Sequence, residues 1–120
     1  MSAMTATVEK RKDKRYLVRD LIVFMRDSNK ELGKVINMSL SGMLIAHDDA
    51  MAVDSILKIR MPLGHTKHEL SDFDADVMVK WFRQNDMSGL FGFGLEFLDN
   101  TEEQRGSIQG MIDAFVENGA

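Results

Sequence analysis

Phe73, Ala75, Val77, Val79 and Trp81 alternate with Asp72, Asp74, Asp76 and Lys80, and Phe91, Phe93, Leu95 and Phe97 alternate with Gly92, Gly94 and Glu96. A period of two marks a half-buried strand, because successive side chains leave a pleated backbone on opposite faces. Leu57, Ile59 and Met61 repeat the pattern around Lys58 and Arg60, and Pro62 and Gly64 end that run. The period then switches. Ile108, Met111, Ile112, Phe115 and Val116 recur at i, i+3, i+4, i+7 and i+8, which is one face of a helix. Strands followed by one terminal amphipathic helix bury both patterns together only if the sheet closes on itself or on that helix.

Three further strands precede these. Tyr16-Leu17-Val18 and Leu21-Ile22-Val23-Phe24-Met25 form one dense apolar run suited to a buried strand, and Asp27-Ser28-Asn29-Lys30 is a turn cluster. Leu32 to Ile36 and Met43 to Ala46 read as the second and third strands. The strands 57–61, 73–81 and 91–97 bring the total to six, with Asn85-Asp86-Met87-Ser88-Gly89 as a hairpin loop. Glycines at 92 and 94 on one face predict curvature or a close neighbour there. Thr101 followed by Gln104 has the form of a capping box, Glu102 and Glu103 suit the positive helix end, and Asn118-Gly119 stops the helix. The expected architecture is mainly β: a six-stranded antiparallel β-barrel plugged or flanked by a C-terminal α-helix. Its parts are a disordered tail over 1–8, a basic arm over 9–15, the barrel over 16–98 and the helix over 101–117.

A chain of 120 residues suits one modest core. It has no cysteine, so disulfides and thiolate metal sites are excluded. The first eight residues lack the apolar run of a signal peptide, and no stretch approaches the roughly 20 apolar residues of a membrane span. A cytoplasmic protein without membrane insertion is expected. Charge is uneven: residues 9–19 hold six cations against two anions, so a net charge of −4 leaves eight surplus negative charges on the remainder. Such a body repels duplex nucleic acid, while the arm could hold a compact anion.

Two polar groupings stand out against this frame. Asn37 and Ser39 lie two apart and would project together from an extended backbone, with Gly42 allowing close approach or a positive φ. Arg11 and Arg15 are four apart, which puts both guanidinia on roughly one side of the arm. A guanidinium is a rigid fork for phosphate or for the O6/N7 edge of guanine. An arm of this kind alone reads as a solvated tail; a polar floor to receive it changes that weighing.

Arg11-x-x-x-Arg15, followed by Asn37-x-Ser39-x-x-Gly42, resembles the two-part signature of the PilZ domain, RxxxR and (D/N)xSxxG. Gly92-Phe93-Gly94-Leu95-Glu96-Phe97-Leu98 before an acidic-capped helix is similar to that family's ending, so the resemblance covers about residues 9–117. It implies a split-barrel receptor for cyclic di-GMP, a bacterial second messenger, with no enzymatic activity and no cofactor. Carried over by motif position, Arg11 and Arg15 would bind phosphate and guanine, Asn37 a guanine edge, and Ser39 a guanine or phosphate. Gly42 would let the ligand lie against the strand. Asn in place of the commoner Asp removes a charge and grips the guanine N1–H and N2–H₂ donors less strongly. Lys10 and Lys12 either add phosphate contacts to one ligand or a stacked pair, or stay solvated. Trp81 reads first as a core or rim aromatic and second as a ligand contact. The implied mechanism is a flexible arm that wraps onto the barrel with ligand and changes the surface offered to a motility, biofilm or polysaccharide-secretion partner. A monomer or weak dimer is expected.

Other patterns point elsewhere only weakly. His65, His68 and Asp72 sit in a polar loop and read as solvated rather than as a metal site. Ser39, Ser41, His47 and Asp48 form no recognisable nucleophile arrangement. The ten methionines read as core filling, and the acidic face 72–76 as solvated surface. Two rivals remain: an adaptor of the same fold that binds no nucleotide, and a small-barrel single-strand nucleic-acid binder. The intact double motif argues against the first and the acidic body against the second.

Overall fold

The computed structural model describes residues 14–64, 70–84 and 91–117. Among them are β1 Tyr16–Leu17, β2 Ile22–Met25, β3 Glu31–Met38, β4 Gly42–His47, β5 Ile56–Met61, β6 Phe73–Gln84, β7 Phe91–Phe97 and helix α1 Glu102–Phe115. The expected tail over 1–8, the arm residues Lys10, Arg11 and Lys12, His65 and His68, the loop 85–89 and Asn118-Gly119 lie outside the described residues.

All pairings are antiparallel and run β3-β2-β5-β6-β7-β4, with β4 returning to β3. That circuit is a closed six-stranded barrel, and closure leaves no open edge among those strands. β1 is an additional short strand. It pairs Tyr16 with Met38 and Leu17 with Asn37, continuing the line of β2 along the same edge of β3.

The single apolar run expected over 16–25 is therefore two pieces. Val18 N donates to the Ile36 carbonyl, and Val35 N donates to the Leu21 carbonyl. Asp20 between them takes φ 69°, a left-handed conformation that a short polar side chain tolerates. The kink lets Val18 and Leu21 both point into the core while Arg19 N reaches the Phe115 carbonyl.

Inward positions of the strands and one stripe of the helix meet in a single core. Val23, Val35, Met38, Met43, Ile45, Ile59, Val77, Val79 and Phe93 are fully inaccessible, and Ile108, Met111 and Ile112 close over them. Met38, Met43, Met61 and Met111 fill it, as expected of flexible thioethers in an irregular interior.

The helix start follows the capping pattern with one change. Thr101 Oγ1 accepts from Gln104 N, but the Gln104 side chain accepts from Asn100 N rather than from the cap residue itself. The helix ends two residues before the expected boundary. Val116 is extended and pairs with Val18, and Glu117 N donates to the Leu17 carbonyl, so the backbone leaves the helix to join β1. Arg19 and Glu117 reinforce that junction at 2.7 Å.

Candidate functional site

The barrel exterior is organised in rows of paired residues. Leu17 lies opposite Asn37, Asn37 opposite Leu44, Leu44 opposite Gly94, and Gly94 opposite Trp81. Their neighbours Met38, Met43, Phe93 and Leu95 are buried, so this row faces outward. Five strands thus share one line, in the order β1, β3, β4, β7 and β6.

Two bulges create it. The β3–β4 register shifts between Val35 and Asn37, and the β6–β7 register shifts between Val79 and Trp81. An extra residue in one strand reverses which face the following side chains take. Without the first bulge Asn37 would share the inward phase of Val35. Without the second, Trp81 would follow Val79 into the core, as simple alternation predicts. Instead Trp81 is 41% exposed, and Phe82 stacks on the buried Phe93 at 5.8 Å between ring centroids.

Gly94 makes room for the indole: a Cβ there would collide with the Trp81 ring. This is the close neighbour anticipated from the glycine pair. The Arg83 guanidinium also lies near this ring, 5.9 Å from its centroid. Gly42 has a different reason to be glycine. Its missing side chain is the space taken by the Leu95 carbonyl of β7.

The side chain of Arg15 reaches back across the row. Its Nη1 donates to Asn37 Oδ1 at 2.8 Å, which joins the described half of the arginine pair to the polar floor. Among the described residues Arg15 makes no ion pair, so its charge faces only a neutral amide.

Ser39 does not project beside Asn37. β3 ends at Met38, and Ser39 turns inward at 1% exposure. Its hydroxyl oxygen accepts from Gly42 N at 3.2 Å and Ser41 N at 3.3 Å, while Ser39 N donates to the Gly42 carbonyl. A hydroxyl bonded to the backbone two and three residues on is the usual chemistry of a Ser-stabilised turn. The turn sets half-buried Ser41 and buried Gly42 against the cleft that Arg15 also lines.

Arg15, Ser41, Gly42, Lys80, Trp81 and Glu96 line a cleft of about 150 Å³. Lys80 and Glu96 were not singled out from sequence. Glu96 was nevertheless legible, since alternation puts it on the same face as Gly92 and Gly94. Lys80, which alternation also puts on an outward face, is the bulge residue. Its ammonium lies 3.7 Å from the Glu96 carboxylate. A larger cavity of about 390 Å³ lies where β6 meets the start of α1, but Asp72, Asp74, Asp99 and Glu103 line it, the wrong sign for an anion.

The remaining candidates resolve simply. Asp72 accepts from Leu63 N at 2.8 Å and Gly64 N at 2.7 Å, and these backbone donors hold its carboxyl below the ordinary range. Among the described residues no cluster of three or more His, Asp or Glu could hold a metal ion. His47 sits at the opposite end of β4 from Ser41, too far to activate it. Among the described residues, no helix is long and apolar enough to cross a membrane.

The family of the PilZ domain matches residues 9–114. The fold is similar to the PilZ domain of YcgR from Escherichia coli solved with c-di-GMP, with a TM-score of 0.67 and 13% identity over 88% of this chain and 90% of that one. It is similar to the K. pneumonia MrkH–c-di-GMP complex, with a TM-score of 0.63 and 14% identity over 85% of this chain and 50% of that one. The Bacillus subtilis inhibitor of motility MotI/DgrA gives a TM-score of 0.63 and 17% identity over 87% and 50%. The chain thus spans about half the length of MrkH and of MotI. No curated protein matches its sequence. Since the family match covers most of the chain and the closed barrel with its C-terminal helix is common to these structures, the chain belongs to the PilZ domain family.

Proposed function

We propose that this chain is a receptor for cyclic di-GMP, with residues 9–117 as the functional unit. The observation that carries the reading is the Arg15–Asn37 hydrogen bond. It joins the two motif halves on the outer face, beside an indole held flat by Gly94. Cyclic di-GMP has two guanines and two phosphates, and needs an aromatic platform, anion pairing and base-edge readers. Trp81 supplies the first, and Arg15 with Arg11 the second. Asn37 reads a guanine edge once Arg15 turns from it to the ligand. Ser39 acts through its turn, setting Ser41 and Gly42 at the wall of the cleft.

A cleft of about 150 Å³ is smaller than the roughly 300–1,000 Å³ of pockets that enclose a drug-sized ligand. The ligand therefore needs a second cover. The arm segment with Lys10, Arg11 and Lys12 provides it, closing over the ligand and adding phosphate contacts. Ordering of that segment is coupled to β1, which is held between Asn37 on β3 and Glu117 beyond the helix. The signal passes as an altered surface to a protein partner in the cytoplasm, in motility, biofilm or polysaccharide output. The domain acts by binding and not by catalysis.

Calorimetric titration of the protein with cyclic di-GMP tests this, with GTP and cyclic di-AMP as controls. Selective saturable binding is expected, and its stoichiometry counts one ligand or a pair. A folded barrel that takes none of the three would instead be a protein adaptor.

A further inference from the structure

On that reading the site must tell guanine from adenine. Guanine presents two adjacent donors, N1–H and N2–H₂, on its Watson–Crick edge, where adenine presents an acceptor and one donor. The side chain that accepts two parallel N–H bonds best is a carboxylate. Asn37 is neutral, and once Arg15 releases it a single amide oxygen accepts two parallel N–H bonds less strongly than a carboxylate does. Ser41 has a single hydroxyl, shared at 3.3 Å with Ser39. The carboxylate on the cleft wall is Glu96.

Its position suits the task. Glu96 pairs with Gly42 on β4 and Met78 on β6, one row along the outer face from Gly94 and Trp81. Half of its side chain is exposed, so it reaches a ligand without unpacking the core. The Lys80 ammonium 3.7 Å away offsets the repulsion between this carboxylate and a phosphate. An exposed ion pair of this kind contributes little to stability, so the pair is free to serve the ligand.

We propose that Glu96 is the guanine-specificity residue of the cleft. A base stacked on Trp81 donates N1–H and N2–H₂ to the Glu96 carboxylate, leaving O6 and N7 for an arginine. This rests on the receptor reading above and adds to it the residue that sets base preference.

The test is calorimetric titration of the full chain and its Glu96→Gln and Lys80→Met variants with three ligands. These are cyclic di-GMP, its inosine counterpart lacking the 2-amino group, and cyclic di-AMP. A good bidentate contact discriminates by on the order of ten- to hundred-fold. The parent chain should therefore prefer cyclic di-GMP to the inosine analogue by about ten-fold. Glu96→Gln should lose that preference and gain relative affinity for cyclic di-AMP, because an amide pairs bidentately with adenine. Lys80→Met should keep the preference, separating the carboxylate from its ion pair. An equal change for all three ligands, or an undiminished guanine preference in Glu96→Gln, overturns the assignment and leaves the receptor reading standing. A parent chain that binds none of them overturns the receptor reading itself. Unchanged circular dichroism of the variants checks that the barrel is intact.

Discussion

Arginines stand on two outward faces of this barrel, and what they meet differs. Across β2, β5 and β6, Arg60 forms a two-bonded fork with Asp74 at 2.8 and 3.0 Å, and Arg26 and Lys58 share Asp76. Every one of these cations faces a carboxylate. Across β1, β3, β4, β7 and β6, Arg15 faces the amide of Asn37 instead, next to an exposed indole. A guanidinium matched to a carboxylate must give up that partner before it can bind an anion. One held by an amide is oriented yet keeps its charge for a ligand. Cations stand on both faces, so a basic side chain alone does not mark the site. An arginine without a matching acid among the described residues, a bulge and a glycine under an aromatic ring mark it together.

The largest expected effect tests that contrast directly. Arg15→Ala should weaken cyclic di-GMP binding by at least about 100-fold, since charge-assisted bonds are worth roughly 1.5–3 kcal/mol each. Its melting temperature should stay within about 3 °C of the parent's. Equal weakening by Arg60→Ala in the same titration would erase the distinction between the faces.

The two glycines should separate fold from site. Gly42→Ala drives a Cβ into the Leu95 carbonyl, which cannot move aside without shifting β7. A loss of roughly 1–3 kcal/mol in denaturant unfolding is expected, as for other overpacked positions. Gly94→Ala meets only an exposed indole that can swing away. It should cost under about 1 kcal/mol yet reduce binding about ten-fold through loss of the stacking platform. Trp81 is the only tryptophan, so its fluorescence reports the displacement.

Smaller effects belong to the paired face. Arg60→Ala should leave binding unchanged and shift the melting temperature by no more than about 4 °C. The hydrogen bonds from Arg60 hold the Asp74 carboxyl below the ordinary range, helped by the charges of Arg60 and Arg26 and opposed by partial burial. A depressed carboxyl contributes stability above the unfolded-state value of about 3.9, and this is lost as pH falls through the folded value. NMR titration should therefore show Asp74 moving upward in Arg60→Ala. An unmoved Asp74 would mean that the ladder on this face is not electrostatically coupled.

Much of the fold was legible in residues 57–61, 73–79 and 91–97, because a period of two states both strand and inward face. The helix was legible from Ile108 to Phe115 for the corresponding reason. Alternation failed at Trp81, and the dense apolar run over 16–25 hid the break around Asp20. In each case the backbone gains or turns a residue to satisfy a neighbouring strand, which the local pattern does not record. For the site, Arg15 and Asn37 were named from spacing and are in contact. Ser39 was named as their companion and instead holds the turn, because β3 stops at Met38 and the hydroxyl finds backbone donors first.

By itself, then, the chain's order of residues determined which positions prefer the interior and which side chains could meet an anion. Both are local properties of side-chain chemistry and backbone period. The tertiary structure alone decided that Asn37, Gly94 and Trp81 form one row. That requires β4 to lie between β3 and β7 and two bulges to set the phase. Pairing between strands far apart in sequence depends on closing the whole barrel, so no single stretch of the chain encodes it.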